Sequence, residues 1–391
     1  MYKRILIASS AIILLLSPLC TLAAGGKFQY AGWLPFWKKE AGVADISQNW
    51  GMLSEVSPFS YEVNANGTLV DKMKIHEAPW PEWLAEARKT KTKIIPSIAW
   101  FDGEEIHALL SNKKSRLAHE DAIAKLVKDE KFDGIDIDYE AKLAETKPYF
   151  SLLVEGLALR LHAQKKILSC TIEPRTPVAS LYDTVPKNYQ SQYANDYVAL
   201  NRYCDEVRIM AYDQGTIDLK LDAQKGNGQL YAPVADIDWV KKVLGETMKT
   251  ISKQKIVLGI PTYGYEYEVS WADGVATYRR LRSHTFFQAM NRADAIGLEP
   301  LRNSAGELGF LYATSTRTEG VSSALTWFVS STLPSAIVSM NTTTSVARFV
   351  SFADAQSAAG EIALAKKLGL RGAAFFKLDG DQDPFLWQVM K

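Results

Sequence analysis

Only three cysteines occur in 391 residues, and one of them, Cys20, lies in an apolar N-terminal run, so this is no disulfide-built scaffold. Cys170, inside an apolar strand-like run, and Cys204 are expected to be buried free thiols, with a bridge between them as the alternative in an oxidising compartment. Charge of one sign is not in excess either: 45 Lys and Arg face 44 Asp and Glu, which argues against a nucleic-acid partner. The five histidines, at positions 76, 107, 119, 162 and 284, have neither H-E-x-x-H nor zinc spacing and are expected at the surface. A Gly-rich phosphate fingerprint is missing after the first strand-like run, and KGNGQL near Gly226 reads as a polar loop. The absence of a G-x-S-x-G elbow and of a catalytic cysteine context excludes the esterase and protease readings.

No apolar run reaches bilayer length. The longest, from Ile5 to Leu19, has about 15 residues where roughly 20 are needed to span. Lys3 and Arg4 precede it and small residues follow, the layout of a secretory signal, so residues 1–23 are expected to be cleaved off after Ala23. An uncleaved anchor is the alternative. The expected product is secreted, or periplasmic or cell-wall associated, and free of the membrane after cleavage.

From Gln29 onward, short β-rich runs alternate with amphipathic stretches, as in βα units around a parallel sheet. Eight such runs begin at Tyr30, Val56, Lys93, Gly134, Ile167, Glu206, Ile256 and Gly372. The pattern predicts an α/β fold, a TIM (β/α)8 barrel, with a doubly wound open sheet as the alternative. The gap after the seventh run is too long for a βα unit. Residues 266–350 are therefore expected to form a small α+β insertion domain, with ATYRRLRSHTFFQAMNRA helical and ELGFLYATS and ARFVSF as strands. Residues 27–265 and 351–391 make up the barrel.

The chemistry concentrates in KFDGIDIDYE, Lys131 to Glu140. Side chains alternate along a strand, so Asp136, Asp138 and Glu140 share one face and Ile135, Ile137 and Tyr139 the other. If the isoleucines face the helices, the acids point into the barrel and climb it in steps of about 7 Å. Glu140 then lies at the C-terminal rim, where barrel active sites sit. Such crowding favours a shared proton and would keep Glu140 protonated near neutral pH, as a general acid requires. A Mg²⁺ or Ca²⁺ site and a structural ion network around Arg208 are the alternatives.

DGIDIDYE resembles the D-G-x-D-x-D-x-E signature of glycoside hydrolase family 18, the chitinase-like enzymes. MAYD, Met210 to Asp213, resembles the family's M-x-Y-D, and LGIPTYG and AKKLGLRGAAFF are similar to its last strands. Within the family, VSPFSYEVNANGTLV looks most like the bacterial spore-germination and cell-wall branch. The resemblance implies cleavage of β-1,4-linked N-acetylglucosamine glycans, chitin or peptidoglycan, with net retention and the substrate's own 2-acetamido group as nucleophile. It implies Glu140 as acid, Asp138 as holder of the acetamido N–H, Asp136 below it in the proton sharing, and Tyr212 as donor to the acetamido oxygen. Met210 and Asp213 fall on the substrate side of that motif. No metal or cofactor is implied, the partner is a polysaccharide, and a monomer is expected.

The sequence departs from the family in two places. SIAW carries Ser97 but then Ala99 and Trp100 where the family has S-x-G-G, and Phe376 stands where a tryptophan forms the floor of the cleaved-sugar subsite. These departures keep a non-catalytic, lectin-like barrel as the alternative. Among other residues, Trp33, Tyr61 and Trp100 are further binding candidates at strand ends, while Trp50, Trp80, Trp83, Trp239 and Trp387 are expected to pack. Glu173 in TIEPRTP either reaches the cleft or pairs with Arg175.

Overall fold

The computed structural model describes residues 27–187, 193–226, 229–272, 275–315 and 345–391. The expected signal, with its cleavage point after Ala23, lies outside them, as does part of the expected insertion. Eight parallel strands close a barrel: Gln29–Pro35, Glu55–Val63, Ser97–Trp100, Gly134–Tyr139, Ile167–Ile172, Glu206–Ile209, Ile256–Pro261 and Gly372–Phe376, called strands one to eight below. Strand one pairs with strand eight on one side and with strand two on the other, so the sheet has no open edge there. The third run is shorter than the sequence suggests. It is split into Lys93–Ile94 and Ser97–Trp100 around Pro96, which has no N–H to give to the ladder.

Alternation divides strand four as expected. Ile135, Ile137 and Tyr139 are fully buried among the residues under the helices, each contributing about 1.5–3 kcal/mol by leaving water. Behind them, His119 on the helix Lys113–Asp129 hydrogen-bonds the Tyr139 hydroxyl at 2.5 Å. His119 is therefore a core histidine, not a surface one, and burial pushes its imidazole down to about 4. The five tryptophans expected to pack, Trp50, Trp80, Trp83, Trp239 and Trp387, are all buried.

Cys170 and Cys204 are bonded to each other, with an S–S distance of 2.09 Å, rather than free. Cys170 sits on the helix side of strand five, and Cys204 ends the helix Tyr197–Tyr203 that leads into strand six. Strands five and six are neighbours, which brings the two Cα atoms to 6.2 Å across 34 residues of sequence. Closing a loop of that size stabilises a fold by about 4 kcal/mol in the chain-entropy model.

The chain leaves the barrel after Pro261 into a five-stranded antiparallel sheet that runs from Tyr263 to Phe352. Its first hairpin pairs Tyr263–Ala272 with Val275–Thr285, which corrects the helical reading of ATYRRLRSHT. Cross-strand contacts override the helical spacing: Tyr278 packs on Tyr267 and Phe349, while Arg279 reaches Glu268 on the partner strand. The helix begins only at Phe286, where Thr285 and Gln288 form a capping box, and ends at Ala295.

Candidate active site

The barrel floor is ionic. Arg208 of strand six is fully buried and donates to Glu206 at 2.8 and 3.0 Å, to Glu55 at 3.3 Å and to Ser57 at 2.6 Å. Burial, then the neighbouring Glu206, pushes the Glu55 carboxyl up to about 7. For Glu206 burial works against ionisation, but Arg208 and Arg371 outweigh it and hold the carboxyl below its ordinary range.

Asp136 lies one layer higher, its carboxylate 3.9 Å from Arg208. Four donors converge on it from three other strands: Trp33 Nε1 at 3.1 Å, Ser97 Oγ at 2.7 Å, Ser169 Oγ at 2.7 Å and Thr171 Oγ1 at 2.8 Å. Trp33 and Ser97 are thus completely buried supports of Asp136, not cleft residues, which corrects their expected place in substrate binding. Two further binding candidates lie on the wrong side of the barrel wall. Trp100 has the parity of Ile98 and packs on Tyr139 and His119. Tyr61 would share the inner face with Phe59, but a bulge between them turns it outward against Phe132.

Asp138 and Glu140 continue the inward ladder. Asp138 is buried, its Oδ1 has no hydrogen-bond partner among the described residues, and its carboxyl is held well above the usual range by burial, then by Glu140 and Asp136. Glu140, partly exposed just past strand four, is pushed up to about 7 by burial and by Glu173 and Asp213, with Lys142 opposing. The pair with displaced proton affinities is therefore Asp138 with Glu140, and such a pair titrates as a unit. Its proton can be delivered from the rim.

Tyr212 and Asp213 follow strand six, which is separated from strand four by strand five alone. The Tyr212 ring stacks on Phe376 at 5.8 Å, and Gly259 leaves room for it, since a Cβ there would sit 3.0 Å from the ring. Burial first, then the nearby acids, keeps the Tyr212 hydroxyl protonated and a donor. Asp213, at φ 63°, accepts from the hydroxyls of Tyr263 and Tyr265, where the antiparallel sheet leaves the barrel. The Phe376 ring also makes edge contacts with Trp33 and Tyr263, each at 6.0 Å, and with Phe59 at 6.4 Å. Met210, the residue after strand six, is buried in the hydrophobic core.

Several rim residues escaped the sequence reading. Trp37 and Phe101 follow strands one and three and are 49% and 52% exposed. No spacing rule marks them, because Trp37 lies in the single helical turn Phe36–Lys38 after strand one and Phe101 in the loop after strand three. Glu173 does not bond Arg175, whose guanidinium lies over Tyr193 and Tyr197. It accepts instead from Asn195 at 2.6 Å, from the Ala141 N–H at 3.1 Å and from Lys142 at 3.4 Å.

The family model described as glycosyl hydrolases family 18 matches residues 56–381, which include the acid ladder, Tyr212 and Phe376. The uncharacterized glycosylase YvbX of Bacillus subtilis is 30% identical over 190 residues, 47% of this chain and 50% of that protein. The putative sporulation-specific glycosylase YdhD of the same organism is 24% identical over 223 residues, 56% of this chain and 48% of that protein. The chain thus spans about half the length of these curated relatives. Among solved structures, the spore cortex-lytic enzyme SleL of Bacillus megaterium aligns with a TM-score of 0.67 at 21% identity, over 93% of this chain and 73% of that one. A chitinase of Chromobacterium violaceum aligns with a TM-score of 0.67 at 19% identity, over 93% of this chain and 98% of that one. At such identities these two establish the fold, and the family match establishes the rest: the chain belongs to family 18 of the glycosyl hydrolases.

Proposed function

We propose that this protein cleaves β-1,4-linked N-acetylglucosamine glycans, chitin or peptidoglycan, by substrate-assisted catalysis with retention. The observation that carries the reading is Glu140 at the rim, its carboxyl pushed up to about 7, above buried Asp138 and near Tyr212. Glu140 gives its proton to the glycosidic oxygen as the C1–O bond breaks, and the acetamido carbonyl oxygen closes on C1 to form an oxazolinium. Asp138 accepts from the acetamido N–H and offsets the positive charge, while Tyr212 donates to the acetamido oxygen. Water then opens the ring, losing its proton to Glu140, so retention follows from two displacements. The other rim acids are already engaged, Asp213 by two tyrosine hydroxyls and Glu173 by Ala141, Lys142 and Asn195, which supports a nucleophile on the substrate. Trp37 and Phe101 supply exposed faces on which sugar rings can stack.

Chitooligosaccharides and peptidoglycan, digested side by side, test the reading by mass spectrometry of products and by proton NMR of the first anomer released. Release of the β-anomer is expected, with no loss of rate in chelator and no cleavage where acetamido groups are replaced by free amines. Binding without product from either polymer would instead make the protein lectin-like.

The same reading places the protein outside the cytoplasm, secreted or held at the cell wall. The leader-like residues 1–23 and the Cys170–Cys204 bridge support it. N-terminal sequencing of protein recovered from medium or wall should begin at Ala24; an intact Met1 in a cytosolic fraction would overturn the assignment.

A further inference from the structure

Glu140 is held from both sides by one ion pair that the proposed mechanism does not use. The Lys142 side chain is completely buried, lies over the Phe150 ring at 4.8 Å, and donates to the Tyr139 carbonyl, the peptide group that precedes Glu140. Its partner Glu173, at the end of strand five, accepts the Ala141 N–H, the peptide group that follows Glu140. Asn195 fixes Glu173 in turn at 2.6 Å. Ala141 has φ 54°, a conformation unfavourable for a residue with a Cβ, and its carbonyl is approached so closely by Gly103 that a Cβ there would sit 2.2 Å away. The turn that aims Glu140 is therefore one the local sequence does not favour, and the Lys142–Glu173 pair spans it.

We infer that Lys142 and Glu173 form a positioning device for Glu140, anchoring the peptide groups on either side of it and bracketing its carboxyl with one charge of each sign. The inference rests on the reading of Glu140 as the acid. The charged and titratable groups around that carboxyl are Asp138 on its own strand, Lys142 after it, Glu173 from strand five, and Tyr212 and Asp213 after strand six. Arg175, close by in sequence to Glu173, is turned away onto its tyrosines and the Asn195 carbonyl. Burial raises the proton affinity of Glu140 most; Glu173 raises it further, and Lys142 lowers it.

Opposite charges make opposite predictions, which a merely structural pair would not. Glu173→Gln should move the Glu140 midpoint down and Lys142→Met should move it up, each by about one pH unit. Lys142→Arg, which keeps charge and donors, should restore the wild-type midpoint. The midpoint is read directly by ¹³C NMR of carboxyl-labelled glutamate, with Glu140→Gln identifying the resonance, and again from the high-pH limb of kcat. Both charge-removing variants should lower kcat by about 10- to 100-fold with a smaller change in KM, because misplacing the acid harms the transition state more than binding. Shifts in the same direction, or none in variants with native near-UV circular dichroism, overturn the inference. Should Lys142→Met fail to fold, the downward shift of Glu173→Gln decides alone. The NMR readout needs no turnover, so an inactive wild type would defeat the proposed function and leave this test standing.

Discussion

Glu140→Gln should lower turnover by about 10²- to 10⁴-fold while leaving glycan affinity within a few-fold of wild type. The amide preserves the shape of the side chain, and only the proton for the leaving oxygen is lost. Wild-type activity should also depend on pH in a way the variant's residual activity does not. Glu140 carries its proton below about 7 and loses it above, so kcat should fall on the alkaline side of neutrality in the wild type. Initial rates on chitooligosaccharides across pH 5 to 9, with calorimetric binding in parallel, measure both effects. A variant that kept comparable turnover would show that another group donates the proton.

Arg208→Met should destabilise the protein by about 3–5 kcal/mol, the cost of leaving buried acids without their cation. Arg208 is the side chain on which Glu206, Glu55 and Ser57 converge beneath Asp136, and it is fully buried. The effect should depend on pH. Because the folded-state value of Glu206 is depressed, its contribution is present above the unfolded value near 4.5 and is lost as pH falls through the folded one. The deficit of Arg208→Met should therefore be largest at neutral pH and shrink toward acid, where a protonated Glu206 no longer needs a partner. Urea unfolding at pH 7 and pH 4 checks this. Combining it with Glu55→Gln and Glu206→Gln should recover part of the loss, since replacing all the charges removes the desolvation penalty that a single deletion exposes.

The site was legible wherever one strand carried the information. Alternation alone separates Ile135, Ile137 and Tyr139 from Asp136, Asp138 and Glu140, and the structure keeps that division residue by residue. The same rule, applied to strand three, already excludes Trp100 from the cleft once Ser97 points inward. Tyr61 is different in kind. Its outward turn follows from a bulge, a property of how strand two registers against strand three, and no periodicity within strand two contains it. The hairpin strand Val275–Thr285 was missed for a related reason: its arginine-rich pattern suits a helix until Tyr267, Glu268 and Phe349 are placed beside it.

Charge along the chain was equally readable and equally incomplete. Crowding three acids on one strand predicts that a proton must stay among them, a consequence of desolvation and repulsion that needs only the spacing. Which carboxyl keeps it depends on partners drawn from other strands. Asp136 is surrounded by donors from strands one, three and five, whereas Asp138 has an oxygen with none among the described residues and Glu140 meets Glu173, Lys142 and Asp213. The Cys170–Cys204 bond belongs with these, since only the adjacency of strands five and six makes 34 residues of separation a distance of 6.2 Å. Strand alternation is local geometry and survives in any fold that uses the strand. Proton affinity, a disulfide and the direction of a rim side chain are set by neighbours remote in sequence, and those exist only once the barrel has closed.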